Sequence, residues 1–293
     1  MPEHTSRKTP MFEALNAPRY HRQELFRHIA SLSGITLVSY VSGPEGRIDR
    51  ADTAYFNDLV YSFPPNHSID LLLHTPGGDV DAAEKLMSML RLRIGIGRLR
   101  VIVPDFAKSA GTLIAIGADA IVMSETSELG PIDPQVTFYD AHGNPTTYSV
   151  QAYLDAFEQL SEALRRSPDD VPTRMLFDKL EPARIFYFQA VKNRARLFAE
   201  TQLKRGMCRE QGNVTEIAGR LIDTKTWPSH GQVIAVDAAQ GLGLTIDRRE
   251  PGDKWWDACW RLYCLERLAV NDGGKLFESE TVFMVSPSQR DSQ

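Results

Sequence analysis

The chain has little cysteine, and what it has is not arranged for cross-linking. Cys208, Cys259 and Cys264 are odd in number and form no CxxC pair. That argues against a disulfide framework and against a zinc site on paired thiolates; thiols in a reducing compartment are the expectation. Long apolar runs are missing too. No window approaches 18 consecutive apolar residues, so no membrane-spanning helix is expected. The first eight residues are polar and no hydrophobic stretch follows them, so no secretory leader and a cytosolic location are expected. Positive charge is not in excess. Lys and Arg number 33 against 38 Asp and Glu, a formal net charge of −5, which argues against nucleic acid or an anionic membrane as the main partner. There is no dinucleotide fingerprint and no P-loop, so nucleotide use has no support.

What is present is an ordinary globular composition. With 293 residues, 42% apolar and 24% charged, one large domain or two small ones can form a core without staples. Residues 1 to about 20 read as a polar tail with scattered prolines, and 20–32 as a helix with Leu25, Phe26, Ile29 and Leu32 on one side. Ile35–Val41 predicts a strand. A helix over 48–63 follows, with Asp49 or Asp52 as its cap.

From Ile69 the pattern alternates: strand 69–73, helix 80–91, strand 99–103, small-residue helix 110–117, strand 120–123. Alternation of this kind means βαβ units with right-handed crossovers and a parallel or mixed sheet. The near-continuous apolar strands fit a sheet covered on both faces. Further on come a Gly/Pro loop at 127–134, a helix at 150–166, and a long helical stretch at 174–205 that Pro182 caps or interrupts. Short helices at 217–221 and 236–242 and a last strand at 244–247 complete this part. After Pro251, Trp255, Trp256, Trp260 and Tyr263 crowd together, which suggests an interface or core patch, or a docking appendage. The expected division is an extension and helix at 1–32, a core at 33–247, and an aromatic-rich appendage at 248–293.

Two strand-to-helix turns carry the chemistry. One is Thr75-Pro76-Gly77-Gly78-Asp79; the other is Lys108-Ser109-Ala110-Gly111-Thr112. The first exposes backbone amides, since Pro fixes φ and two glycines let the chain turn. The second puts a hydroxyl at the positive end of a helix, where a developing oxyanion is favoured. Ser109 alone is as well read as a helix N-cap, and Gly77-Gly78 alone as a plain turn. Together in one sheet they could set a nucleophile beside an amide pocket, as in a serine hydrolase. No His, Cys, Asp and Glu cluster stands at metal-ligand spacing around His74 and Asp79, and no cofactor is called for.

These two turns, followed by Leu129-Gly130-Pro131-Ile132-Asp133-Pro134-Gln135, resemble the serine dehydrogenase proteinase family. That family is similar to the signal peptide peptidase and Clp proteolytic subunit group, with an α/β fold of the ClpP/crotonase kind: a repeated ββα/βαβ spiral with a long C-terminal helical segment. The resemblance covers about 33–247. It implies Ser109 as nucleophile, the amides of Gly78 and Ala110 as oxyanion hole, Gly77 and Asp133 in contact with a protein or peptide substrate, no cofactor, and a homo-oligomer. Asp133 could also orient a base, although Ile132-Asp133-Pro134 is ordinary turn chemistry too.

The general base stays open. The Clp subunit carries a histidine in the loop matching 127–134, where this chain has none. Signal peptide peptidases use a lysine further downstream, and the matching window, about 149–162, holds none. Lys108, adjacent to the serine, and His230, in Trp227-Pro228-Ser229-His230-Gly231, are the candidates; imidazole has the right pKa for the task. Lys179 and Lys192 read as exposed helical lysines. Three functions follow: an ATP-independent serine peptidase first, then a crotonase-type acyl-CoA enzyme using the same amides, then a non-catalytic scaffold of the same fold.

Overall fold

The computed structural model describes residues 9–140, 142–209 and 212–286. A helix α1 (Pro10–Ser33) leads into strand β1 (Thr36–Ser42), helix α2 (Asp52–Tyr61), strand β2 (Ile69–His74) and helix α3 (Val80–Ile94). Next come β3 (Leu99–Ile102), the two-residue β4 (Phe106–Ala107), helix α4 (Ala110–Ile116), β5 (Ala120–Met123) and β6 (Glu128–Leu129). A hairpin, β7 (Gln135–Tyr139) and β8 (Pro145–Ser149), precedes helices α5 (Val150–Arg166), α6 (Val171–Phe177) and α7 (Pro182–Arg205). Helices α8 (Val214–Ile222) and α9 (Val236–Gly241), strand β9 (Ile246–Arg248), helix α10 (Lys254–Ala269) and strands β10 (Lys275–Ser279) and β11 (Phe283–Ser286) close the chain.

Seven strands among the described residues form the central sheet, in the order β11-β10-β1-β2-β3-β5-β9. From β1 to β9 all neighbours are parallel; β10 joins β1, and β11 joins β10, antiparallel. Side chains alternate across the sheet because the strand period is two. Tyr40, Leu71, Leu73 and Val101 face the core under α2, α3, α4 and α7, while Leu37, Leu72 and Ile102 face the layer of α1 and α10. Helix α4 is buried along its whole length, and each of Leu113, Ile114 and Ile116 contributes roughly 2 kcal/mol through removal from water.

Several expectations shift. The tail read into residues 10–19 is the first half of α1: Pro10 sits in its first turn, where a missing N–H costs nothing, and Pro18 is accommodated within it. The helix expected from Ile48 begins at Asp52, because Ile48 pairs with Gly78 instead. Neither Asp49 nor Asp52 caps α2. The Asp52 carboxylate is buried against Lys275 Nζ at 2.6 Å and accepts from Tyr40. The stretch 174–205 is two helices, with Pro182 starting the second. The β7–β8 hairpin lies where no strand was expected. The described part of 248–293 supplies α10 to one face of the sheet and two strands to its edge.

Candidate active site

The two turns meet at the C-terminal ends of β2 and β3. Thr75 and Ala107 form a parallel bridge, with the Thr75 amide donating to the Phe106 carbonyl at 3.1 Å and the Lys108 amide to the Thr75 carbonyl at 3.0 Å. This holds Ser109 at φ 51°, ψ −114°, at the head of α4. Positive φ in a residue with a Cβ costs of order 1–3 kcal/mol and persists only where the surroundings over-determine it. Here they do: the Gly111 amide donates to the Lys108 carbonyl at 2.7 Å, and the Thr112 hydroxyl to the Ala107 carbonyl at 2.7 Å.

Gly77, at φ 94°, packs directly on this elbow. A Cβ there would lie 2.6 Å from the Lys108 carbonyl oxygen and 2.9 Å from Ser109 Cβ, so only glycine fits. Gly78, at φ 150°, bridges to Ile48. That bridge uses the Gly77 carbonyl and the Asp79 amide and turns the Gly78 amide away from Ile48. Ala110 heads α4, whose first-turn amides have no intrahelical acceptor. Both amides are without a hydrogen-bond acceptor among the described residues. The half-buried Ser109 side chain makes no cap to its own helix. Asp79 takes the capping role for α3, accepting from the Asp81 and Ala82 amides at 2.7 and 3.2 Å.

Lys108 points elsewhere. Its ammonium lies 2.7 Å from Glu128 Oε2, 3.1 Å from the Leu129 carbonyl and 3.3 Å from the Gln232 carbonyl. All three of its N–H donors therefore have acceptors, and it ties the serine turn to β6 and to the segment after His230. Leu129 and Ile234 exchange two hydrogen bonds of 3.0 Å and reinforce that tie. Thr112 adds another, accepting from the Gly130 amide at 3.0 Å.

His230 lies on this same segment. Its Nδ1 is 2.8 Å from Asp133 Oδ1; the carboxylate is 3% exposed and the ring 33%, so the acid is buried and the imidazole partly open to solvent. The second carboxylate oxygen accepts from Gln135 Nε2 at 2.8 Å. An imidazole oriented through Nδ1 presents Nε2 as an acceptor, the arrangement a general base needs. His230 and Asp133 were each singled out from sequence; their contact, across 97 positions, was not. Glu128 was missed altogether, and no periodicity or spacing marks it. Lys179 is exposed between α6 and α7, and Lys192 is half-buried on α7.

His74 faces the other side of the sheet. Its Nδ1 is 3.8 Å from Asp105, and the Tyr263 hydroxyl donates to the same carboxylate oxygen at 2.6 Å. Burial, with the Arg267 cation, lowers the His74 pKa to about 3. Among the described residues no group of three His, Cys, Asp or Glu side chains could hold a metal, and no helix is long and apolar enough to cross a membrane.

A family described as ClpP-like SDH-type serine proteinase matches residues 47–148. An uncharacterized protein of Methanocaldococcus jannaschii is 33% identical over 231 residues, 79% of this chain and 68% of that protein. The chain belongs to the ClpP-like SDH-type serine proteinase family. A second uncharacterized protein of the same organism is 37% identical over 192 residues, 64% of this chain; the match spans 55% of that relative's own length. Among solved structures, a mutant of the 1510-N membrane-bound stomatin-specific protease aligns over 72% of this chain and 79% of its own, at 16% identity and TM-score 0.42. A second mutant of that protease, in complex with a substrate peptide, aligns over 87% and 94% at 15% identity, with the same TM-score. The parallel-rich α/β sheet described above is the ClpP-like fold of the SDH-type proteinases. Their matched segment carries Gly77, Gly78, Lys108, Ser109, Ala110 and Asp133, and it ends before His230.

Proposed function

We propose that this chain is an ATP-independent serine peptidase in which Ser109 attacks the peptide carbonyl and His230 moves the proton. The Ser109 hydroxyl gives its proton to His230 Nε2 as Oγ bonds to the carbonyl carbon. The carbonyl π electrons move to oxygen, which the Gly78 and Ala110 amides receive. Collapse of this intermediate breaks the C–N bond, and the amine leaves with the proton held by His230. Water then reverses the sequence on the Ser109 ester and releases the acid. Asp133 accepts from His230 Nδ1–H and favours the imidazolium that forms. Lys108 serves as a positioning cation through Glu128, and Gly77 lets the oxyanion turn reach the serine.

The observation that carries this reading is the elbow itself: Ser109 at positive φ, seated on Gly77 beside two amides without acceptors. Strain of that kind marks sites where a side chain must be presented rather than packed. The test is covalent labelling by a small fluorophosphonate. Labelling is expected in the wild type and absent in Ser109→Ala; labelling that survives the substitution would overturn the assignment. Self-association belongs to the same proposal, supported by Met175, Leu176, Phe186 and Tyr187, which stand exposed on α6 and α7.

A further inference from the structure

A groove of about 1050 Å³ opens between α5, α7 and α8. Gln151 and Phe157 line it from α5, Lys192 from α7, and Gly219 and Ile222 from α8, with Asp223 just beyond. Both walls run into the loop that carries Asp133. On one side the Val150 amide, next to Gln151, donates to the Pro134 carbonyl at 3.1 Å. On the other, the Ile132 amide donates to the Leu221 carbonyl, next to Ile222, at 3.0 Å. One end of the groove is thereby tethered within two residues of the partner of His230.

The lining is chemically mixed. It holds five acidic and five basic side chains, three amides, one hydroxyl and a few apolar contacts. Such a surface selects neither charge sign nor a compact apolar ligand. It offers hydrogen bonds and counter-charges along a line, which suits a backbone with varied side chains. The α5 wall from Gln151 to Arg165 runs for about 21 Å at about 1.5 Å per residue. An extended chain at about 3.3 Å per residue places about six residues there.

We propose that this groove holds an extended segment of the polypeptide substrate, so that the enzyme acts on unfolded chains in preference to short peptides. The inference rests on the peptidase reading above. Remote contacts of this kind raise turnover when their binding energy is used to orient the scissile bond.

Gly219 allows a direct test, because a Cβ built there meets nothing within 4 Å and enters the groove rather than the core. Quenched peptides sharing one scissile site and lengthened from about three to about twelve residues should show kcat/KM rising by at least about tenfold in the wild type, the range remote binding energy supplies. Gly219→Phe should abolish that rise. Thr215→Phe, exposed on the same helix outside the groove, should keep it. Fluorophosphonate labelling of Ser109 separates the two claims. A wild type that does not label defeats the peptidase reading, and the groove with it. A wild type that labels but shows no length dependence, or a Gly219→Phe variant that retains it, overturns the groove alone. A change in oligomeric state in Gly219→Phe with the length dependence intact would assign the groove to a second copy and overturn it too.

Discussion

The layer made by α1 and α10 and the pair of turns at 75–78 and 107–110 differ in the polar groups they carry: ion pairs in the one, free backbone donors in the other. In the layer, buried charges find partners. Arg22, 3% exposed, donates from Nε to Glu278 at 2.6 Å. Asp70, fully buried, receives two bonds from Arg100 at 2.7 and 2.6 Å, and that guanidinium stacks 5.1 Å from the Trp255 ring. The Ser39 hydroxyl donates to Glu266. Burial pushes the Glu266 and Glu278 carboxyls up from their ordinary values, and the nearby Glu278 carboxylate raises Glu266 further. At the turns, polar groups are left over: two amides without acceptors and a hydroxyl on a strained backbone. The layer pairs most of its buried charge by ion pairs, leaving Glu266 Oε2, Glu278 Oε1 and Trp255 Nε1 without a hydrogen-bond partner among the described residues; the turns carry donors without acceptors on a strained backbone.

That contrast can be broken from either side. The largest effect is expected at the site. His230→Ala should lower kcat by roughly 10²–10⁴-fold, the usual worth of a general base. The loss of stability should be the smaller effect, about 1–3 kcal/mol, since the buried Asp133 carboxylate keeps Gln135 as a partner. A drop in stability with unchanged turnover would make His230 part of the scaffold. The reverse is expected in the layer. Arg22→Met leaves Glu278 buried without its cation, a loss of about 3–5 kcal/mol, readable as a lower denaturant midpoint. The kcat/KM of the protein that remains folded should not move.

The smallest effect sharpens the boundary between the two regions. His74 sits on β2 one residue before the site turn, yet its pKa of about 3 lies below its ordinary 6.5. The unfolded chain therefore binds a proton that the folded one refuses. Stability is fully present above pH 6.5 and is lost as pH falls towards 3. His74→Phe should flatten that acid-side loss, measured as the denaturant midpoint against pH. A variant that instead altered the fluorophosphonate labelling rate at neutral pH would place His74 with the site.

Much of the fold is legible in the chain because it rests on local periodicity. The bounds of α5 follow from the spacing of Tyr153, Phe157, Leu160 and Leu164, and β5 from an uninterrupted apolar run. The start of α7 follows from Pro182, which is well placed at a helix start and nowhere further in. The β7–β8 hairpin escapes although Val136, Thr137, Phe138 and Tyr139 favour a strand and Gly143-Asn144-Pro145 a turn, because its residues are partly exposed and no buried apolar run marks it. The helix expected at Ile48 fails because a tertiary partner, Gly78, claims that backbone.

The sequence by itself determined the βαβ order and the chemistry of the two turns. Both depend on residues a few positions apart, where helix and strand periods and the φ freedom of glycine act directly. Only the tertiary structure decided which distant groups meet. It set His230 against Asp133, drew the Lys108 ammonium to Glu128, and gave the C-terminal strand β10 to β1. Those contacts join segments far apart in the chain, except for Lys108 and Glu128, which the β4–β6 pairing brings together. Contacts of this kind form because the sheet places strand ends side by side, and no local pattern encodes which loop will meet which.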